Sequence, residues 1–245
     1  MHRRTAPRLA RFLACAAVPV MLVATGCSDD GGEKKEPEKK PSSAAPGSAK
    51  PSASASASAK AATFAKLPEV CKTLSGDTID KLVPKAEKKE GKALPSSDTN
   101  DSASCIWSGL NDKDVKDLQF RTLTVSLKRF SSDPTLGSGE KRADDFQAKQ
   151  VQAATTQDGA KDAKSEKVSG IGDTATVVSS TTKKDDNEFK NETVVARTQN
   201  VVVTVKYSGA GYEGAKTPDA DELKKSAQDA TKEVVKAVGA ANGKQ

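Results

Sequence analysis

Residues 28–62 contain no aromatic residue and no Leu, Ile, Val or Met, and that gap divides the chain more sharply than any motif. The segment reads "SDDGGEKKEPEKKPSSAAPGSAKPSASASASAKAA". With so little apolar surface to bury, it has nothing to offset the entropy lost on ordering, and it is expected to be a disordered linker. As a flexible coil it would reach roughly 30–35 Å, somewhat more where proline and charge stiffen it. About 180 residues follow, enough for one domain of ordinary size.

Ahead of the linker the chain reads "MHRRTAPRLARFLACAAVPVMLVATGC". Arg3, Arg4, Arg8 and Arg11 precede an apolar run over residues 12–23. A membrane span needs about 20 such residues, so this is the pattern of a secretory signal peptide. Thr5-Ala6-Pro7 matches a twin-arginine export signal poorly, and the export route stays open. The run closes on Ala24-Thr25-Gly26-Cys27, which resembles the lipobox of bacterial lipoproteins. That resemblance implies cleavage before Cys27 and a diacylglyceryl group on its thiol. Two acyl chains anchor stably where one is marginal. The expected division is a signal peptide over 1–26, a lipidated Cys27 with its tether over 27–62, and a domain over 63–245 on the outer face of the cytoplasmic membrane.

The whole chain carries 39 Lys and Arg against 33 Asp and Glu. Four of the cations lie before Cys27, so the mature chain is left with 35 against 33, close to neutral. Its charges are interspersed, as on a solvated surface, and no basic stripe with interleaved aromatics is present. Nucleic acid is therefore not an expected partner. Cys15 leaves with the signal and Cys27 takes the lipid, so Cys71 and Cys105 remain as a pair in an oxidising setting. A disulfide is the natural inference, and closing a loop of that length contributes on the order of 3–4 kcal/mol. No metal or cofactor is expected: His2 is the only histidine and lies in the signal.

Within the domain, "LPEVCKTLSGDTIDKLVP" predicts two short helical turns, with Asp77 as a cap and Pro84 as a stop. "CIWSGL" and "LQFRTLTVSLKRF" read as strands; Leu123, Val125 and Leu127 share a buried face. Leu118 and Phe120 fall on the opposite phase, which predicts a bulge near Arg121-Thr122. "SGEKRADDFQAKQVQAATT" predicts a helix with Ala143, Phe146 and Val151 inward. "DTATVVSST", "ETVVARTQ" and "NVVVTVKYS" predict three strands, the last two joined tightly at Gln199-Asn200. "TPDADELKKSAQDATKEVVKAV" predicts a helix capped by Thr217 and stopped at Gly239, with Leu223, Ala227, Ala230, Val234 and Val238 inside. This order gives an α+β domain: an antiparallel sheet with helices packed on one face.

Cys71 with Leu74, then Cys105-Ile106-Trp107, then Gly170-Ile171-Gly172-Asp173-Thr174-Ala175 follow the order seen in a family of actinobacterial lipoproteins of unknown function. The chain resembles that family over residues 67–237. The resemblance implies no reaction.

Without a histidine in the mature chain, Ser-His-Asp and Cys-His chemistry and a histidine base are excluded. No catalytic residue is assigned. Gly170-Ile171-Gly172-Asp173 precedes a strand and lacks a Lys-Ser/Thr continuation, so it reads as a turn and not a phosphate loop. Three aromatic residues are candidates for ligand binding. Tyr207 stands just before the loop "SGAGYEG" and Tyr212 within it, and the loop's glycines admit close approach; Trp107 qualifies if it is exposed and belongs to the core if it covers the disulfide. The expected function is a non-enzymatic module that binds an envelope component or a protein partner. The alternatives are a substrate-binding component of a transporter, and an enzyme that cleaves cell wall through paired carboxylates.

Overall fold

The computed structural model of the protein describes residues 59–243. Cys27 and most of the 27–62 segment lie outside the described residues. The helices are α1 (Gly76–Leu82), α2 (Gly139–Thr155) and α3 (Ala220–Ala241), and the strands are β1 (Lys92–Ala93), β2 (Ser102–Asn111), β3 (Leu118–Arg129), β4 (Lys161–Val168), β5 (Thr174–Lys184), β6 (Asn187–Thr198) and β7 (Val201–Tyr212). The strands form one seven-stranded sheet in the order β1-β2-β3-β7-β6-β5-β4. Every pairing is antiparallel, as the expected class requires.

Register explains the core. Cys105, Val125, Val205, Val194 and Val177 lie opposite one another across successive strands. Side chains two residues along repeat the same face. The stripe of α3 foreseen from the sequence, Leu223 to Val238, is buried in the cluster that contains this row, as are Ile79 and Leu82 of α1. Each Val, Leu or Ile side chain among them contributes about 1.5–3 kcal/mol on leaving water.

The helices do not all share that face. Ala143 of α2 clusters with Val195 and Val202, the residues of opposite phase, and Phe130, Phe146 and Val151 pack against them. The signal for this is in "TVVA" and "VVVTV": unbroken apolar runs mark strands buried on both sides. α1 and α3 therefore cover one face and α2 the other.

Five further expectations are corrected. β3 keeps unbroken register from Leu118 to Arg129, so no bulge separates Leu118 and Phe120 from the rest. Ser75 caps α1 through Thr78 N, and Asp77 sits inside the first turn. Asp219, not Thr217, caps α3 through Glu222 N, and the helix runs past Gly239 to Ala241. "SGAGYEG" is no loop as far as Tyr212, because β7 continues through it. The tight turn at Gln199-Asn200 forms as expected, with Gln199 in the left-handed region.

The N-terminal end of the domain is clasped twice. The Asn200 side chain accepts from Phe64 N at 2.7 Å and donates to the carbonyls of Phe64 and Phe130 at 2.9 and 2.8 Å. Asn242 accepts from Ala65 N at 2.9 Å and donates to the Lys66 carbonyl at 3.0 Å. Contacts begin earlier still: the Ser132 hydroxyl donates to the Lys60 carbonyl, and Thr63 donates to Glu140 at 2.9 Å.

Candidate functional site

Cys71 and Cys105 are joined, with Cα atoms 5.3 Å apart and a sequence separation of 34. Trp107 lies beside this bridge, 1% exposed, and donates its indole N–H to the Lys89 carbonyl at 3.1 Å. Gly91 makes that packing possible: a Cβ there would lie 2.6 Å from both Cys105 Sγ and the Trp107 ring. Trp107 is core. It belongs to no binding surface with the tyrosines.

Tyr207 and Tyr212 are separated as well, because five residues along a strand place them on opposite faces. Tyr207 lies on the α3 side. Its hydroxyl donates to the Leu82 carbonyl at 2.6 Å, and burial pushes its pKa up to about 12 while the Arg121 guanidinium opposes the rise. Across the register from Tyr207 stands Glu192. This carboxyl is 2% exposed and accepts from the Ser179 hydroxyl at 2.6 Å. Burial pushes it up to about 7; the Ser179 bond and nearby Lys224 pull it down, and Asp221 raises it. Lys224 itself is paired with Glu166 of β4.

Beside Tyr207 opens a cavity of about 210 Å³, between the end of α1, the ends of β2, β3 and β7, and the first turns of α3. Its walls carry Lys81, Asn111, Arg121, Asp219, Glu222 and Ser226. Arg121 is the residue that sequence reasoning missed. It is half-buried, with Nη1 donating to Gln119 Oε1 at 3.1 Å and to the Phe120 carbonyl at 2.8 Å. The strand glycines have their explanation here. A Cβ on Gly209 would come within 3.0 Å of Arg121 Nη1 and of Pro218 Cγ, and one on Gly211 would run into the Ala215 and Lys216 carbonyls. They make room for the Arg121 side chain and for the returning backbone.

Tyr212 stands on the α2 face, at the strand ends away from α2, in a ring cluster with Phe120 and Phe189. It stacks on Phe120 at 5.7 Å between centroids and 12° between planes; Phe189 meets both rings edge-on at 6.1 and 6.2 Å. The opposite phase of Phe120 is thus accounted for: it faces this cluster. Lys184, Asp185 and Asn187 of the β5–β6 turn rim the same spot.

Among the described residues there is no group of three or more His, Cys, Asp and Glu side chains placed to hold a metal ion, and no helix long and apolar enough to cross a membrane. No protein-family model matches the chain, and no curated protein matches it. Among solved structures the chain is similar to one titled "Crystal structure of LpqN involved in cell envelope biogenesis of Mycobacterium tuberculosis", at 15% identity and a TM-score of 0.30, over 58% of this chain and 82% of that one.

Proposed function

We propose that this chain is an exported lipoprotein, anchored through Cys27 to the outer face of the cytoplasmic membrane, whose domain binds an envelope component without catalysing a reaction. The observation that supports binding is the mixed-charge cavity beside Tyr207, where cations from α1 and β3 face carboxylates of α3. Export is supported by the basic and apolar N-terminus that ends on Ala24-Thr25-Gly26-Cys27, and by a disulfide, which suits an oxidising compartment. Against catalysis stand the single histidine at position 2 and the placement of Glu192. A carboxyl raised toward neutrality suits a general acid, yet this one is shut away from solvent and held by Ser179.

Mass spectrometry of the full-length protein extracted from its own membranes tests the reading. The expected denatured mass is that of a chain beginning at Cys27 with a diacylglyceryl increment. A chain cleaved at the same place with a free Cys27 thiol overturns the anchor. Turnover of a wall fragment, abolished by a single Asp or Glu substitution, overturns the non-catalytic half.

A further inference from the structure

We propose that the cavity between α1, the ends of β2, β3 and β7, and the first turns of α3 binds a small zwitterion of the amino-acid class, its carboxylate on Arg121 and its ammonium on Glu222 and Asp219. This deepens the reading of the domain as a binding module and rests on it.

The charges of the cavity carry the inference. Lys81 and Arg121 supply two cations to its walls, Asp219 and Glu222 two anions. Among the described residues, none of the four is joined to an opposite charge by an ion pair within 4.0 Å. Arg121 bonds instead to two neutral oxygens, of Gln119 and Phe120, which aim the guanidinium and leave its charge uncompensated. Asp219 Oδ1 accepts from the backbone N–H of Glu222 at 2.9 Å, which leaves its other oxygen for a ligand.

A ligand with one sign of charge fits this arrangement badly. A simple anion that reaches Arg121 meets two carboxylates, and a simple cation that reaches Glu222 meets Lys81 and Arg121. A molecule with both signs satisfies both walls. The planar guanidinium matches a carboxylate in two-point geometry, and three ammonium hydrogens match carboxylate acceptors. Size narrows the class: about 210 Å³ is below the range of drug-sized pockets and suits a single amino acid or the end of a short peptide. Asn111 and Ser226 offer neutral hydrogen-bonding groups on the walls. Tyr207 has spent its hydroxyl on Leu82 and presents no free donor.

Calorimetric titration of the mature chain with alanine, N-acetylalanine and alanine amide tests this. Alanine carries both charges and each derivative only one. Alanine is expected to bind at least about tenfold more tightly than either derivative. In Arg121→Gln the advantage over alanine amide should vanish, and in Glu222→Gln the advantage over N-acetylalanine should vanish. Glu222 is exposed on a helix, so its variant keeps the test sharp even where Arg121→Gln misfolds. No saturable binding of alanine up to about 10 mM, or equal binding of all three probes, overturns the site. Failure here with lipid present on Cys27 removes the zwitterion and leaves the anchored module. Absence of that lipid removes the anchor and leaves the titration standing.

Discussion

Replacing Glu192 with Gln should make the protein more stable at pH 8 and leave it unchanged at pH 4. The carboxyl is buried, and its pKa rises from 4.5 to about 7, chiefly because burial penalises the charged form. The groups that face it are Ser179 from β5, Tyr207 from β7, and Lys224 and Asp221 from α3. A folded-state pKa above the unfolded one means that the native protein holds the proton more tightly. The resulting stability is fully present below about pH 4.5 and is lost as pH rises through about 7. At about 1.4 kcal/mol per unit, the loss is on the order of 3 kcal/mol. Glutamine is neutral throughout and still accepts the Ser179 hydrogen bond. Thermal melts of wild type and Glu192→Gln from pH 4 to 8 should therefore diverge, with the variant melting roughly 6–12 °C higher at the alkaline end. Asp98, Asp133, Glu140 and Glu188 have carboxyls held below their ordinary values. They lose their contribution as pH falls, equally in both proteins, so the difference curve isolates Glu192. A difference that stays flat across the range refutes the argument, as does a variant that is less stable at pH 8.

Three other substitutions test the architecture. Replacing both Cys71 and Cys105 with Ala should cost about 3–4 kcal/mol in denaturant unfolding, and reducing agent should have the same effect on wild type alone. Asn200→Ala removes three hydrogen bonds from a fully buried side chain and should cost about 2–3 kcal/mol, with earlier amide exchange at Phe64 and Phe130. Gly209→Ala forces the Arg121 guanidinium and Pro218 aside and should cost about 1–3 kcal/mol of stability.

Much of the frame was legible because periodicity reports burial directly. Leu123, Val125, Leu127 and the α3 stripe lie where their spacing placed them, and the two cysteines are joined as their number implied. β4 escaped because an edge strand needs no apolar alternation. "KDAKSEKV" is nearly all exposed and is held by its ladder to β5, its charges suiting an unpaired outer edge. The side taken by α2 was misjudged because alternation in β3 suggested one buried face, whereas the unbroken valines of β6 and β7 bury two. The cavity was illegible for a different reason. Lys81, Arg121 and Glu222 have ordinary spacing in sequence, and only the topology brings α1, β3 and α3 together around them. Sequence did single out Tyr207 and Tyr212, but as neighbours around one loop; the extended strand sends them to opposite faces.

The two asparagine clasps have a mechanical consequence. Asn200 and Asn242 seize residues 64–66 where the β6–β7 turn and the end of α3 meet, so a pull on the N-terminus enters the domain at that pole. Gly209 lies eight residues along β7 from Val201, roughly 25 Å away at the other pole. Tension applied to the N-terminus would therefore load the hydrogen bonds at that pole first, and the cavity beside Tyr207 stands clear of the loaded path.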